Sequence, residues 1–143
     1  MKKLVSVIIP THGGGEHLNQ TITSVFEQDY PNLEIIVVDD NGKGTPNQLK
    51  TNRVIEPFLK NEKFSYIVHE INSNGAVARN TGFKSSKGDY IAFLDDDDIY
   101  LPSKISSQVE VMEQRDDNWG MAFCSYIKYA YAIRLLRPTR PRN

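Results

Sequence analysis

Four consecutive aspartates, Asp95 to Asp98, stand directly behind the apolar run "DYIAFL" in this chain of 143 residues. Two carboxylates about 4 Å apart repel by roughly 4 kcal/mol at an effective dielectric of 20. A compensating partner is therefore expected, and hard carboxylate oxygens suit a divalent cation, Mn²⁺ or Mg²⁺. Such ions are commonly held by one or two carboxylates together with substrate phosphates. On an extended chain, Asp95 and Asp97 point the same way and can share one ligand. A solvated acidic turn is the bland alternative. The position behind a buried strand, not on a helix face, weighs against it.

A second pair, Asp39 and Asp40, ends "LEIIVVDDNG". It either opens a turn before Gly42 or offers a carboxylate to a ribose or a base edge, as an acidic residue does in dinucleotide folds. "THGGGE" is glycine-rich and precedes a helix, so its amides can approach a phosphate, but it lacks the spacing of the familiar phosphate loops. A flexible turn is the simpler account. Arg79 lies in "NGAVARNTGF", after a third strand, where its guanidinium can meet a diphosphate. His12, His17 and His69 are too scattered for a metal site, and no role is assigned to them.

The elements that must position these residues are legible as short apolar runs. Strands are expected at 4–10, 33–40, 64–69, 89–96 and 120–127, each rich in Val, Ile, Phe or Tyr. The first, second and fourth are nearly continuous, as in a sheet covered on both faces. Helical stripes lie between them. "EHLNQTITSVFEQD" aligns Leu18, Ile22, Val25 and Phe26; "PSKISSQVEVMEQR" aligns Ile105, Val109 and Met112, with Pro102 at a first helical position. "AVARNTGFKSSKG" reads as a weaker helix closed by Gly88. "TPNQLKTNRVIEPFLKNE" is helical in part, with Pro57 kinking or dividing it. Alternating strands and helices imply an α/β fold: a mainly parallel, Rossmann-like sheet with helices on both faces. Ligands bind such sheets outside the carboxyl ends of the strands. There strand one delivers Pro10 and Thr11, strand two Asp39 and Asp40, and strand four the aspartate run.

Composition sets the frame. Apolar residues at 39% and charged residues at 24% describe an ordinary globular protein. A lone cysteine, Cys124, rules out an internal disulfide framework and favours a reducing compartment. No apolar stretch reaches membrane-spanning length, and "MKKLVSVIIP" is too short an apolar run for a signal peptide. A cytoplasmic location is expected. The net charge of −1 hides a basic end: residues 127–143 carry Lys128, Arg134, Arg137, Arg140 and Arg142 with no acid. That tail either sits at an anionic membrane surface or is the end of a truncated or altered chain, the reading favoured because Pro138 and Pro141 limit any helix. A nucleic-acid partner is not expected, because the body is net acidic.

Taken together, "VSVIIPTHGGGEHLNQTITSVFEQDYPNLEIIVVDDNG", "NGAVARNTGF" and "GDYIAFLDDDD" resemble the family 2 inverting glycosyltransferases with the GT-A nucleotide-sugar-binding fold. The match covers residues 4–126, the N-terminal half of that fold, with 127–143 as a separate tail. The resemblance implies that Pro10, Thr11, Asp39 and Asp40 hold the base and ribose of a nucleoside-diphosphate sugar. Arg79 would lie near base or phosphate, and Asp95 and Asp96 would approach ribose and sugar. Asp97, with Asp95, would ligate the metal bridging the diphosphate. Uridine is the family's commonest nucleotide, and the acceptor would be a saccharide or a lipid-linked hydroxyl. The general base is expected beyond residue 143; Asp116 and Asp117 read as a solvated loop.

Two other readings compete. A receiver-type signalling domain also places an Asp pair and a later Asp around Mg²⁺. Here, however, a complete strand-helix unit precedes the pair, and no later strand ends in Lys-Pro. A module that binds nucleotide without turnover is the second alternative.

Overall fold

The computed structural model describes residues 2–114 and 120–128. Its order is β1 (Val5–Thr11), α1 (Leu18–Phe26), β2 (Leu33–Asp39), α2 (Pro46–Ile55), β3 (Phe64–Val68), α3 (Gly75–Ser85), β4 (Tyr90–Phe93) and α4 (Lys104–Glu113). A single 3₁₀ turn, Glu56–Phe58, follows α2. Pro57 stands in it, so the proline divides the helical region as expected.

The strands form one parallel sheet in the order β3-β2-β1-β4. Val7 pairs with Ile35 on one side and Ala92 on the other, and both β1 and β2 are almost wholly buried. On one face Val7, Ile9, Ile35 and Val37 pack with Leu18, Ile22 and Val25 of α1, Ile55 of α2 and Ile105 of α4. On the other, Ile36 and Val38 pack with Ala78 of α3. The sheet is covered on both faces, as the continuous apolar runs require.

The chain steps outward from β1 to β3 and then returns to β1's far side for β4. This reversal is the topological switch point at which open α/β sheets bind ligands. Pro10 is tolerated inside a central strand for a local reason. Its neighbour Ile8 faces β4, since Leu94 N–H donates to Ile8 O at 3.1 Å. Pro10 shares that orientation, and β4 ends at Phe93, opposite Ile8. The missing N–H therefore costs no ladder bond.

Several expectations are corrected. The run 120–127 is not a strand: its only side-chain tie among the described residues is Gln108 Nε2 to Ala122 O at 3.2 Å. Phe123, Tyr126 and Met121 are exposed. Strand propensity expresses fit to a pleated, half-buried surface, and no neighbouring strand supplies one here. Helix α3 ends at Ser86 in extended conformation, not at Gly88. Gly88 instead lets β4 approach β1; a Cβ there would lie 2.7 Å from Ser6 N. Pro102 precedes the Ser103 N-cap of α4 instead of occupying the first helical position, and its carbonyl accepts from Asp29 N–H at 3.0 Å. Asp116, Asp117 and the tail from residue 129 lie outside the described residues.

Candidate nucleotide-sugar site

A cleft of about 520 Å³ opens at the carboxyl ends of β1, β2 and β4. Pro10 and Thr11 enter it from β1, Asp40 from β2, Arg79 from α3, and Asp95, Asp96 and Asp97 from behind β4. Seven of the eight residues singled out for donor or metal binding thus meet in one place. Asp39 is the exception.

The two neighbouring carboxylates have separate jobs. Asp39 is fully buried. Its Oδ1 accepts from the backbone and side-chain amides of Asn41 at 2.9 and 2.7 Å, and its Oδ2 from Tyr66 O–H at 2.6 Å. Both oxygens are committed within the protein, so Asp39 holds the loop and does not face the cleft. Burial and the Asp39 hydrogen bond push the Tyr66 phenol well above its ordinary range. Asn41 passes the order onward, accepting the Gly13 N–H at 2.7 Å. Gly13, Gly14 and Gly15 all take positive φ, so the "GGG" run is a turn that only glycine adopts easily.

Asp40 faces the cleft. Its Oδ1 accepts from His69 Nδ1 at 2.7 Å and Ser73 N–H at 2.8 Å, while Oδ2 takes no hydrogen bond among the described residues. Burial raises the Asp40 carboxyl, but the His69 and Ser73 hydrogen bonds and the nearby Asn74 amide outweigh it, and the group lies below its usual range. Asp40 is ionised and offers an acceptor.

The aspartates do not continue the strand. Asp98 N–H donates to Asp95 O at 3.1 Å, closing a turn through Asp96 and Asp97. The extended geometry expected to align Asp95 with Asp97 is replaced by this turn, because the ladder to β1 stops at Phe93. Thr11 Oγ1 donates to the Asp96 carboxylate, and Thr21 Oγ1 to Asp96 O at 2.9 Å. The turn is thereby tied to β1 and α1. Arg79 pairs with Asp95, with side-chain exposures of 38% and 57%. A pair this exposed is worth little, so exchange for a ligand anion costs little. Asp97 makes no side-chain hydrogen bond among the described residues, and burial with the Asp97 and Asp95 charges raises the Asp98 carboxyl. Among the described residues no group of three or more His, Cys, Asp or Glu is arranged to hold a metal by itself.

Sequence reasoning missed His69 and the "NSNG" loop. Asn72, Asn74 and Gly75 line the cleft. Asn74 caps α3 by accepting the Ala76 and Val77 amides at 3.0 and 3.2 Å, at a φ of +78°. The motif reads as a turn; only the fold shows that the turn closes the pocket wall.

A parallel sheet with an acidic, arginine-bearing cleft at its switch point has the form of a ligand-binding α/β protein. The model of glycosyl transferase family 2 matches residues 6–140, and the chain belongs to that family. TuaG of Bacillus subtilis, named provisionally as a teichuronic acid biosynthesis glycosyltransferase, is 37% identical over 115 residues, 80% of this chain and 44% of its own. The S. aureus TarS fragment 1–349 in complex with UDP-GlcNAc superposes with a TM-score of 0.67 at 25% identity, over 78% of this chain and 31% of that one. The Pyrobaculum calidifontis mannosyltransferase PcManGT, in complex with GDP-Man and Mn²⁺, gives 0.64 at 25%, over 82% and 34%. The fold is that of GT-A glycosyltransferases. The chain spans 16–48% of the length of such curated relatives. Among the described residues no helix is long and apolar enough to cross a membrane.

Proposed function

We propose that this chain binds a nucleoside-diphosphate sugar, with uridine the expected base, as the donor half of an inverting glycosyltransferase. The supporting observation is the meeting of Asp40, Arg79 and the Asp95–Asp97 turn in one cleft at the switch point. TarS with UDP-GlcNAc and PcManGT with GDP-Man are similar proteins bound to such donors.

Pro10, Thr11 and Asp40 take the base and ribose, Asp40 accepting a ligand N–H or O–H. Asp39 acts from behind by fixing Asn41. Arg79 exchanges Asp95 for a donor phosphate, which its planar guanidinium matches bidentately. Asp95 and Asp96 approach ribose and sugar.

The residues present fit a divalent cation. The donor set is hard oxygen only, Asp97 has no protein partner among the described residues, and the exposed Arg79 pair leaves Asp95 exchangeable. Asp97 and Asp95 would hold Mn²⁺ or Mg²⁺, which when bound supplies a Lewis acid for the charge developing on the leaving diphosphate. Transfer to a saccharide or lipid-linked hydroxyl further needs a carboxylate base to take the hydroxyl proton, and that role is assigned to no residue described. TuaG's name supports a polysaccharide or glycoconjugate product. The basic residues 127–143 would hold a cytoplasmic protein at the membrane's inner face.

The test is thermal shift and calorimetry with UDP-, GDP- and dTDP-sugars, with and without Mn²⁺. A Mn²⁺-dependent shift with one nucleotide is expected, and release of nucleoside diphosphate when acceptors are added. No shift with any of them refutes the reading; binding with no release from any acceptor reduces it to a binding module.

A further inference from the structure

His69 follows β3, belongs to no metal cluster among the described residues, and yet its ring lies between the cleft and α3. Nδ1 meets Asp40 Oδ1 at 2.7 Å, and Nε2 meets Thr81 Oγ1 at 2.9 Å. The side chains of His69 and Asp40 are only 13% and 4% exposed. The backbone fixes the ring from below as well: His69 N–H donates to Asp39 O at 2.9 Å, and His69 O accepts from Lys43 N–H at 3.0 Å.

A neutral imidazole donates through one nitrogen and accepts through the other. Asp40 is an ionised acceptor, so Nδ1 carries the proton and Nε2 accepts from the Thr81 hydroxyl. Thr81, on α3, thus selects the tautomer that Asp40 needs. Together with the Ser73 amide, His69 occupies Oδ1 and leaves Oδ2 for the cleft.

We propose that His69 is a positioning residue for donor recognition, holding Asp40 in the orientation in which Oδ2 accepts a hydrogen bond from the nucleoside, with Thr81 setting the ring's tautomer. This rests on the reading of the cleft as a nucleotide-sugar site. It assigns a function to the one histidine that neither a metal nor a solvated surface explains.

A second consequence follows from charge. Asp40 is held below the usual carboxyl range against the effect of its own burial, and the His69 hydrogen bond is the largest of the effects that lower it. The other titratable groups around it are His12 just after β1, buried Asp39 beside it, Arg79 on α3 and the acidic turn behind β4. Lys43 and Glu70 pair with each other at 2.9 Å on the solvent side. Without the His69 donor, only the Ser73 and Asn74 amides oppose the effect of burial on Asp40. Its protonation then begins at higher pH, and binding that needs the ionised form is lost sooner on acidification.

The experiment measures UDP affinity across pH 3.5–8 for the full chain and for His69→Ala, His69→Asn and Thr81→Val, with thermal unfolding to verify the fold. His69→Ala is expected to weaken binding about tenfold, the worth of one charge-assisted hydrogen bond. Its acid midpoint should move up by about one pH unit. The Asn side-chain amide can replace Nδ1–H, so His69→Asn should recover affinity to within roughly threefold of the native chain. Thr81→Val should shift the midpoint upward by less than His69→Ala, since it only loosens the tautomer. A role in packing alone would make Asn as weak as Ala and leave every midpoint in place; that result overturns the proposal. Should His69→Ala not fold, an unmoved acid midpoint in Thr81→Val overturns it equally. Failure of the native chain to bind any nucleoside diphosphate strikes at the cleft's assignment instead. Native binding with indifferent variants strikes at His69 alone.

Discussion

Gly82 tests how closely the cleft depends on helix placement. It lies in α3 directly over Ile8 of the central strand, and a Cβ added there would stand 2.4 Å from Ile8 Cγ2 and 3.2 Å from Cγ1. Ordinary carbon contacts lie at about 3.5–4.0 Å, so the pair must open by about 1 Å. Ile8 is fully buried between Ile36 and Phe93, and its β-branched side chain is stiff. The helix must therefore move outward. Alanine gains about 1 kcal/mol of helix propensity over glycine, while overpacking of this severity costs about 3 kcal/mol. The net loss is about 2 kcal/mol. Because α3 carries Asn74, Gly75 and Arg79 to the cleft wall, Gly82→Ala should also weaken UDP binding. Urea unfolding of Gly82→Ala, Ile8→Ala and the double variant checks the reasoning. Removing both Ile8 γ-carbons leaves only its Cβ, at 3.3 Å. In that background Gly82→Ala should be neutral or stabilising by up to about 1 kcal/mol, a coupling of about 2–3 kcal/mol between the sites. Equal effects of Gly82→Ala in both backgrounds, or stabilisation of the native chain, would refute the close-approach argument.

Further outcomes follow from the same geometry. Asp97→Asn should leave the unfolding midpoint unchanged while weakening Mn²⁺-dependent UDP binding; unchanged affinity and metal dependence by calorimetry would remove Asp97 from the site. Tyr66→Phe strips Asp39 Oδ2 of its one partner among the described residues and should cost about 1–3 kcal/mol in denaturant titration, with no change in the metal requirement. At Asn74 the positive φ carries strain of about 1–3 kcal/mol, and the side-chain cap is worth about 1 kcal/mol against alanine but only a few tenths against glycine. Unfolding stabilities should therefore rank Asn74→Gly at or above native and Asn74→Ala below it. Asp98 has its carboxyl raised by burial and by Asp97 and Asp95, so its ionisation costs stability at neutral pH. Asp98→Asn should raise the urea midpoint at pH 7, and the gain should vanish as pH falls below the ordinary carboxyl value of about 4; a pH-independent gain would point to some other cause.

The site was legible where local sequence carries the constraint. Strand ends occupied by Thr11, Asp40 and the aspartate run, and Arg79 after a third strand, follow from periodicity and the switch-point rule. What was not legible depended on pairings across the fold. Nothing in "VVDD" says which carboxylate turns inward; Tyr66, 27 residues on, decides it by capturing Asp39. The aspartate run became a turn because β4's register against β1 ends at Phe93. Gly88 serves the approach to Ser6, 82 residues earlier, and not a helix end. His69 looked isolated because its partners, Asp40 and Thr81, stand 29 and 12 residues away. The 120–127 run has the composition of a strand and no ladder to join.

The sheet's order also has a schedule. β1 leaves the ribosome first, and β2 and β3 can assemble on one of its sides while the opposite side waits for Phe93 to be synthesised. At roughly 5–20 residues per second, the stretch from Val68 to Phe93 takes seconds. For that interval the nascent chain presents an open, apolar strand edge. Yield in a heterologous host should consequently be most sensitive to translational pausing within those residues, before β4 joins the sheet.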